Sequence, residues 1–130
     1  MNYHLDKVPA RTAKPRDTGL TMVMDKGLSI REAEDMLDIS ADLIDVIKLG
    51  WATSYVYPKL KEKLKLYSDA GIPVYLGGTL FEAFVVRGQF EDYRRVIDEY
   101  GLTHAEVSDG SLDMPHDQKC EYIRILAQDK

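Results

Sequence analysis

The sequence predicts an α/β fold built on a parallel sheet, and three observations predict it. Short apolar runs alternate with amphipathic stretches along 130 residues. The runs begin near residues 21, 43, 73 and 104, a spacing of roughly 20 to 30 residues that suits one βα unit with its crossover. The first run, "LTMVMD", is apolar without alternation, so it should be covered on both faces. Parallel strands need crossover connections, and these turn right-handed. Four such units fit either an open doubly wound sheet or half of an eight-unit barrel.

Residues 1–19 contain Pro9, Pro15, Gly19 and the basic residues Lys7, Arg11, Lys14 and Arg16, and they read as an arm. It is either a solvated tail or a segment that closes over an anion. After the first strand, Ser29 and Glu32 have capping-box spacing, and Ile30, Ala33, Met36 and Leu37 form the stripe of the first helix. A second buried run, "LIDVIKLG", precedes a helix in "YPKLKEKLKLYSDAG" that turns Leu60, Leu64 and Tyr67 inward, its lysines outward, and stops at Gly71. The third strand spans Val74 to Leu76, and Thr79 with Glu82 repeats the capping-box spacing. A further helix buries Phe90, Tyr93, Val96, Ile97 and Tyr100. The fourth strand is "THAEVSDG", and Pro115 opens a last helix with Tyr122, Ile123 and Leu126 on its apolar side.

A formal charge of −5 argues against nucleic-acid and anionic-membrane partners, which need a cationic field. Cys120 is the single cysteine, so no intramolecular disulfide forms, and it reads as a packing residue in a reducing compartment. No segment resembles a signal peptide or a membrane span, which predicts a cytoplasmic protein. His4, His104 and His116 lack metal-ligand spacing, and neither a dinucleotide fingerprint nor a P-loop is present.

The strand ends read "DKG", "KLGW", "GGTLFE" and "SDG", and in parallel α/β folds ligands bind at those ends. Asp25, Glu82, Glu106 and Asp109 are oxygen donors of the type that Mg²⁺ prefers. Glu82 could equally close its capping box, and Asp109 before Gly110 could equally make a turn. Lys26 and Lys48 project toward the same end. They either meet an anion or hold the sheet top together through an Asp25–Lys48 or Glu106–Lys48 ion pair. Gly77, Gly78 and Thr79 allow close approach of a ligand to the backbone or make a tight connection. Trp51 lines a pocket or packs.

The stretches "KPRDTGLTMVMDKGL", "IDVIKLGWATS", "YLGGTLFE" and "EVSDG", in this order and spacing, resemble the phosphosulfolactate synthase family from about residue 11 to the end. The resemblance implies a (β/α)₈ TIM barrel and a Mg²⁺-dependent addition of sulfite to phosphoenolpyruvate. The product is (2R)-phospho-3-sulfolactate, on the way to coenzyme M or sulfolactate. It implies Lys26 and Lys48 as catalytic residues, Arg16, Gly77, Gly78 and Thr79 at the substrate, and Asp25, Glu82, Glu106 and Asp109 at the metal. The alternative within the family is a non-catalytic relative acting in stress protection or protein interaction. A full barrel takes roughly 250 residues. Residues 20–130 therefore correspond to its first four βα units, following the arm at 1–19, and closure is expected from a C-terminal half or from homo-oligomer formation.

Overall fold

A computed structural model describes residues 4–129; the first three residues of the arm and Lys130 lie outside the described residues. Three short parallel strands form the sheet in the order β1 (Met22–Asp25), β2 (Val46–Leu49), β3 (Val74–Leu76). Among the described residues six α-helices accompany them: α1 (Ile30–Ser40), α2 (Thr53–Val56), α3 (Leu60–Asp69), α4 (Gly78–Val85), α5 (Phe90–Glu99) and α6 (His116–Asp129). The strand-helix alternation and the parallel sheet are thus as the sequence predicts.

The apolar stripe of each helix explains what it covers. Ala33, Leu64, Tyr67, Phe81, Tyr93 and Ile97 pack with Ile47, Leu49, Val74 and Leu76 into one buried cluster. Phe81 is central, meeting Tyr93 edge-on at 5.4 Å between centroids and Tyr122 at 5.6 Å. The register places Met24, Lys48 and Tyr75 side by side on the opposite face. None of the three is fully buried, and Met22 on the same face is 45% exposed. The helices therefore cover one face of the sheet, not both as the first apolar run suggests.

Among the described residues the sheet has three strands rather than four. Residues 102–109, where the fourth strand is expected, carry no strand and join no backbone ladder. Side chains hold the segment instead: Ala105 and Val107 pack against the buried cluster, which includes Leu126 of α6, while Glu106 and Ser108 bond to β2 and α4. The start of the second apolar run is not strand: Leu43 ends a 3-10 turn at Ala41–Leu43, Asp45 accepts the Thr21 amide at 2.8 Å, and the ladder begins only at Val46.

Ser29 caps α1 with the expected reciprocal box to Glu32. Ser29→Ala should lower stability by about 1 kcal/mol, read as a shift in the urea midpoint at unchanged slope. The second box does not form. The N-cap of α4 is Gly77, so Thr79 already lies inside the helix and its hydroxyl caps nothing. Cys120 is exposed rather than packed, with its sulfur 3.5 Å from His116 Nε2. No helix among the described residues is long and apolar enough to cross a membrane.

Candidate active site

The carboxyl ends of β1, β2 and β3 and the segment at residues 102–109 share one rim, but the charged residues there divide between the two faces of the sheet. Lys48 extends from the uncovered face of β2. Its ammonium lies 2.7 Å from each carboxylate oxygen of Glu106, with the two side chains 19% and 27% exposed. Of the two ion pairs open to Lys48 on sequence grounds, the one with Glu106 forms. Tyr75 neighbours this pair in register, and burial with the Glu106 charge pushes its hydroxyl pKa up, Lys48 opposing. Sequence reasoning missed Tyr75, although its position in an apolar strand beside Lys48 was a usable signal.

Asp25 faces the other way, toward the helices. It is completely buried, and its Oδ1 accepts the amides of Gly27 and Leu28, both at 2.7 Å. Its Oδ2 accepts from Lys63 Nζ at 3.0 Å and Tyr67 Oη at 2.8 Å. Burial alone would raise the Asp25 pKa, but the bonds from Lys63, Leu28, Gly27 and Tyr67 outweigh it and hold it below the usual carboxylate range. Lys63 contradicts the expectation that the lysines of this helix point outward. Only 3% of its side chain is exposed; the ammonium also bonds the Leu28 carbonyl and sits 3.9 Å from the Tyr57 ring centroid. The acid and the glycine that end β1 thus build a connection to α1: Asp25 gathers the loop amides, and Gly27 adopts φ +107.

Glu82 also faces inward from the first turns of α4. It accepts the Ser108 hydroxyl, the Gly110 amide at 2.9 Å and the Ser111 amide at 3.0 Å. Burial pushes its pKa up, but these donors prevail and hold it below the ordinary glutamate value. Asp109 is exposed and paired with Lys119 at 2.7 Å, which depresses its pKa. Lys26 is exposed and has no ion pair or hydrogen bond among the described residues. Gly77 and Gly78 are buried, Thr79 is exposed, and Trp51 stands 62% exposed in a left-handed conformation at φ 55.

Arg16 is not brought to this rim. Its guanidinium bonds Asp45 Oδ1 at 2.6 Å and the Asp42 carbonyl, both just before the amino end of β2, and the Thr12 carbonyl within the arm itself. Arg11 and Lys14 fasten the arm to the same end through the Leu43 and Ala41 carbonyls.

Among the described residues no three His, Cys, Asp or Glu side chains converge as a metal cluster. Each of the four carboxylates expected at the metal already has a protein partner. Asp25 and Glu82 are saturated by protein donors, while Asp109 and Glu106 are each held by a lysine.

In parallel α/β folds ligands bind at the carboxyl ends of the strands, the end at which Lys48 and Glu106 pair. The chain belongs to the (2R)-phospho-3-sulfolactate synthase (ComA) family, whose model matches residues 9–130. It is 35% identical over 123 residues to the phosphosulfolactate synthase of Methanothermobacter thermautotrophicus, a match covering 93% of this chain and 48% of that protein. The Bacillus subtilis protein of the same name is 34% identical, with 95% of this chain and 49% of the relative covered. That of Methanocaldococcus jannaschii is 42% identical over 108 residues, covering 82% and 43%. The chain spans about half the length of the curated relatives it matches.

Proposed function

We propose that this chain is the first half of a phosphosulfolactate synthase-like lyase of the cytoplasm, with Lys48 at the reaction centre. The observation that carries this reading is the Lys48–Glu106 pair, at the strand carboxyl ends and on the sheet face that no helix covers. In this reading residues 20–130 are four βα units of a (β/α)₈ barrel and the open face is its interior. The arm is a separate element that closes the amino end. The remaining barrel units come from the rest of a longer polypeptide or from a second copy of this chain.

The substrates are sulfite and phosphoenolpyruvate. The sulfite sulfur donates its electron pair to the methylene carbon and forms the C–S bond. The double-bond electrons move onto the carboxylate as an ene-diolate, and a proton adds to the phosphate-bearing carbon. Two anions must meet and a third charge develops, so a fixed ammonium lowers the barrier most where that charge appears. Lys48 serves this role, Glu106 holds its ammonium in place, and exposed Lys26 collects an incoming anion. Mg²⁺ would supply further charge stabilisation at the ene-diolate, with ligands contributed by the remaining barrel units.

The test is consumption of sulfite with phosphoenolpyruvate by whatever assembly this chain forms, measured with and without added Mg²⁺. Lys48→Met should reduce turnover by about 10²-fold or more, the loss expected for one charge-stabilising donor. Turnover unchanged by that substitution would sink the role of Lys48.

A further inference from the structure

Two consecutive glycines close β3, and neither is there for its dihedral angles. The glycines at positive φ are Gly19, Gly27, Gly71, Gly88 and Gly101, whereas Gly77 has φ −68, which any residue adopts. Space is the constraint instead. A Cβ on Gly77 would lie 2.9 Å from Lys48 Cε and 2.9 Å from the Leu49 carbonyl oxygen. A Cβ on Gly78 would lie 2.4 Å from Ser108 Cβ and 2.8 Å from Glu106 Oε1. Carbon atoms pack best at about 3.5–4.0 Å, so either methyl group would displace its neighbour. Those neighbours include both partners of the ion pair.

We propose that Gly77 and Gly78 are positioning residues for Lys48. They leave a gap at the end of β3 through which the Lys48 side chain and the Glu106 carboxylate meet. β2 and the segment at residues 102–109 have no ladder between them, so the side-chain bridge depends on how closely that segment approaches β3. Gly78 sets that approach through Ser108. The bearing on catalysis rests on the function proposed above; the positioning itself does not.

The test is acetylation by limiting acetic anhydride, with the extent at each lysine read by peptide mass spectrometry. In the parent protein Lys48 should react more slowly than exposed Lys26. Gly78→Ala pushes Ser108 and Glu106 outward, so Lys48 should gain about three-fold or more in rate, as in Glu106→Gln, with Lys26 unchanged. A smaller gain in a Gly78→Ala protein with parental circular dichroism overturns the proposal. The double variant Gly78→Ala/Ser108→Gly removes the Ser108 clash and leaves only the contact with the flexible end of Glu106, so it should return Lys48 most of the way to parental protection, which also carries the test if the single variant does not fold. A double variant that leaves Lys48 reactive, or that does not fold, overturns it. Labelling needs no turnover, so a failed sulfite assay beside the expected labelling would sink the reaction and leave the positioning standing.

Discussion

Asp25→Asn is expected to cost the fold about 3–5 kcal/mol, as removal of one partner from a buried ion pair does. That is a large share of the ~5–15 kcal/mol that holds an ordinary domain folded. The substitution preserves shape, so no cavity contributes. It leaves the Lys63 ammonium buried without a counter-charge, with the Leu28 carbonyl, the Tyr57 ring and at most one amide oxygen as partners. It also turns an amide against some of the four donors that now converge on the carboxylate. Lys63→Met should cost less, because the Gly27, Leu28 and Tyr67 donors still serve Asp25. The double variant should recover part of the loss. Urea denaturation of the three variants measures all of this, and an Asp25→Asn protein as stable as its parent would refute it.

The same carboxylate makes stability fall in acid. Its folded pKa lies below the unfolded value, so the unfolded chain binds its proton first as pH drops. The contribution is intact above about pH 4 and is lost as pH falls through the folded pKa. Denaturation midpoints measured against pH should show this loss in the parent protein and a shallower one in Asp25→Asn.

Glu82→Ala is the second large effect, at about 2–4 kcal/mol. It strips the acceptor from the Gly110 and Ser111 amides and from the Ser108 hydroxyl, and each buried donor left unpaired costs about 1–3 kcal/mol. The figure stays below the sum because Gly110 and Ser111 are exposed residues whose amides water can partly reach. Glu82→Gln should fall between, since its amide oxygen accepts but carries no charge. Hydrogen exchange gives a local reading: the Gly110 and Ser111 amides should lose protection in Glu82→Ala while the β2 amides keep theirs. A chain that keeps both protections would show that Glu82 does not hold this loop.

The parallel α/β character was legible because β1, β2 and β3 are short apolar runs and the helices between them carry clear stripes. Ser29 with Glu32 marked a helix start for a reason that is local, two side chains and two amides. The spacing of Thr79 and Glu82 is the same, yet glycine at position 77 starts the helix earlier and tertiary donors claim the glutamate. Spacing alone does not register such competition. Lys63 was legible in part: it sits three residues after Leu60 and four before Tyr67, inside the buried stripe, and only its charge argued for solvent. Its partner Asp25 lies 38 residues away, and that pairing depends on how α3 packs over β1. Which face of a strand a charged residue occupies decided the site. Asp25 and Lys48 both stand at strand ends, and a difference in register parity sends one to the helices and the other to the open face.

The arm clasp has a consequence for the order of assembly. Arg16 is nearly enclosed, with 5% of its side chain exposed, and its Asp45 partner also receives the Thr21 amide that precedes β1. The Asp42 and Asp45 acceptors converge only when the turn before β2 has formed beside the start of β1. The arm therefore has nowhere to dock until that first strand pair exists, which makes it a late arrival on the folding route. Its few contacts across 26 and 29 residues of sequence also make it an early departure on unfolding, a latch that closes last and opens first.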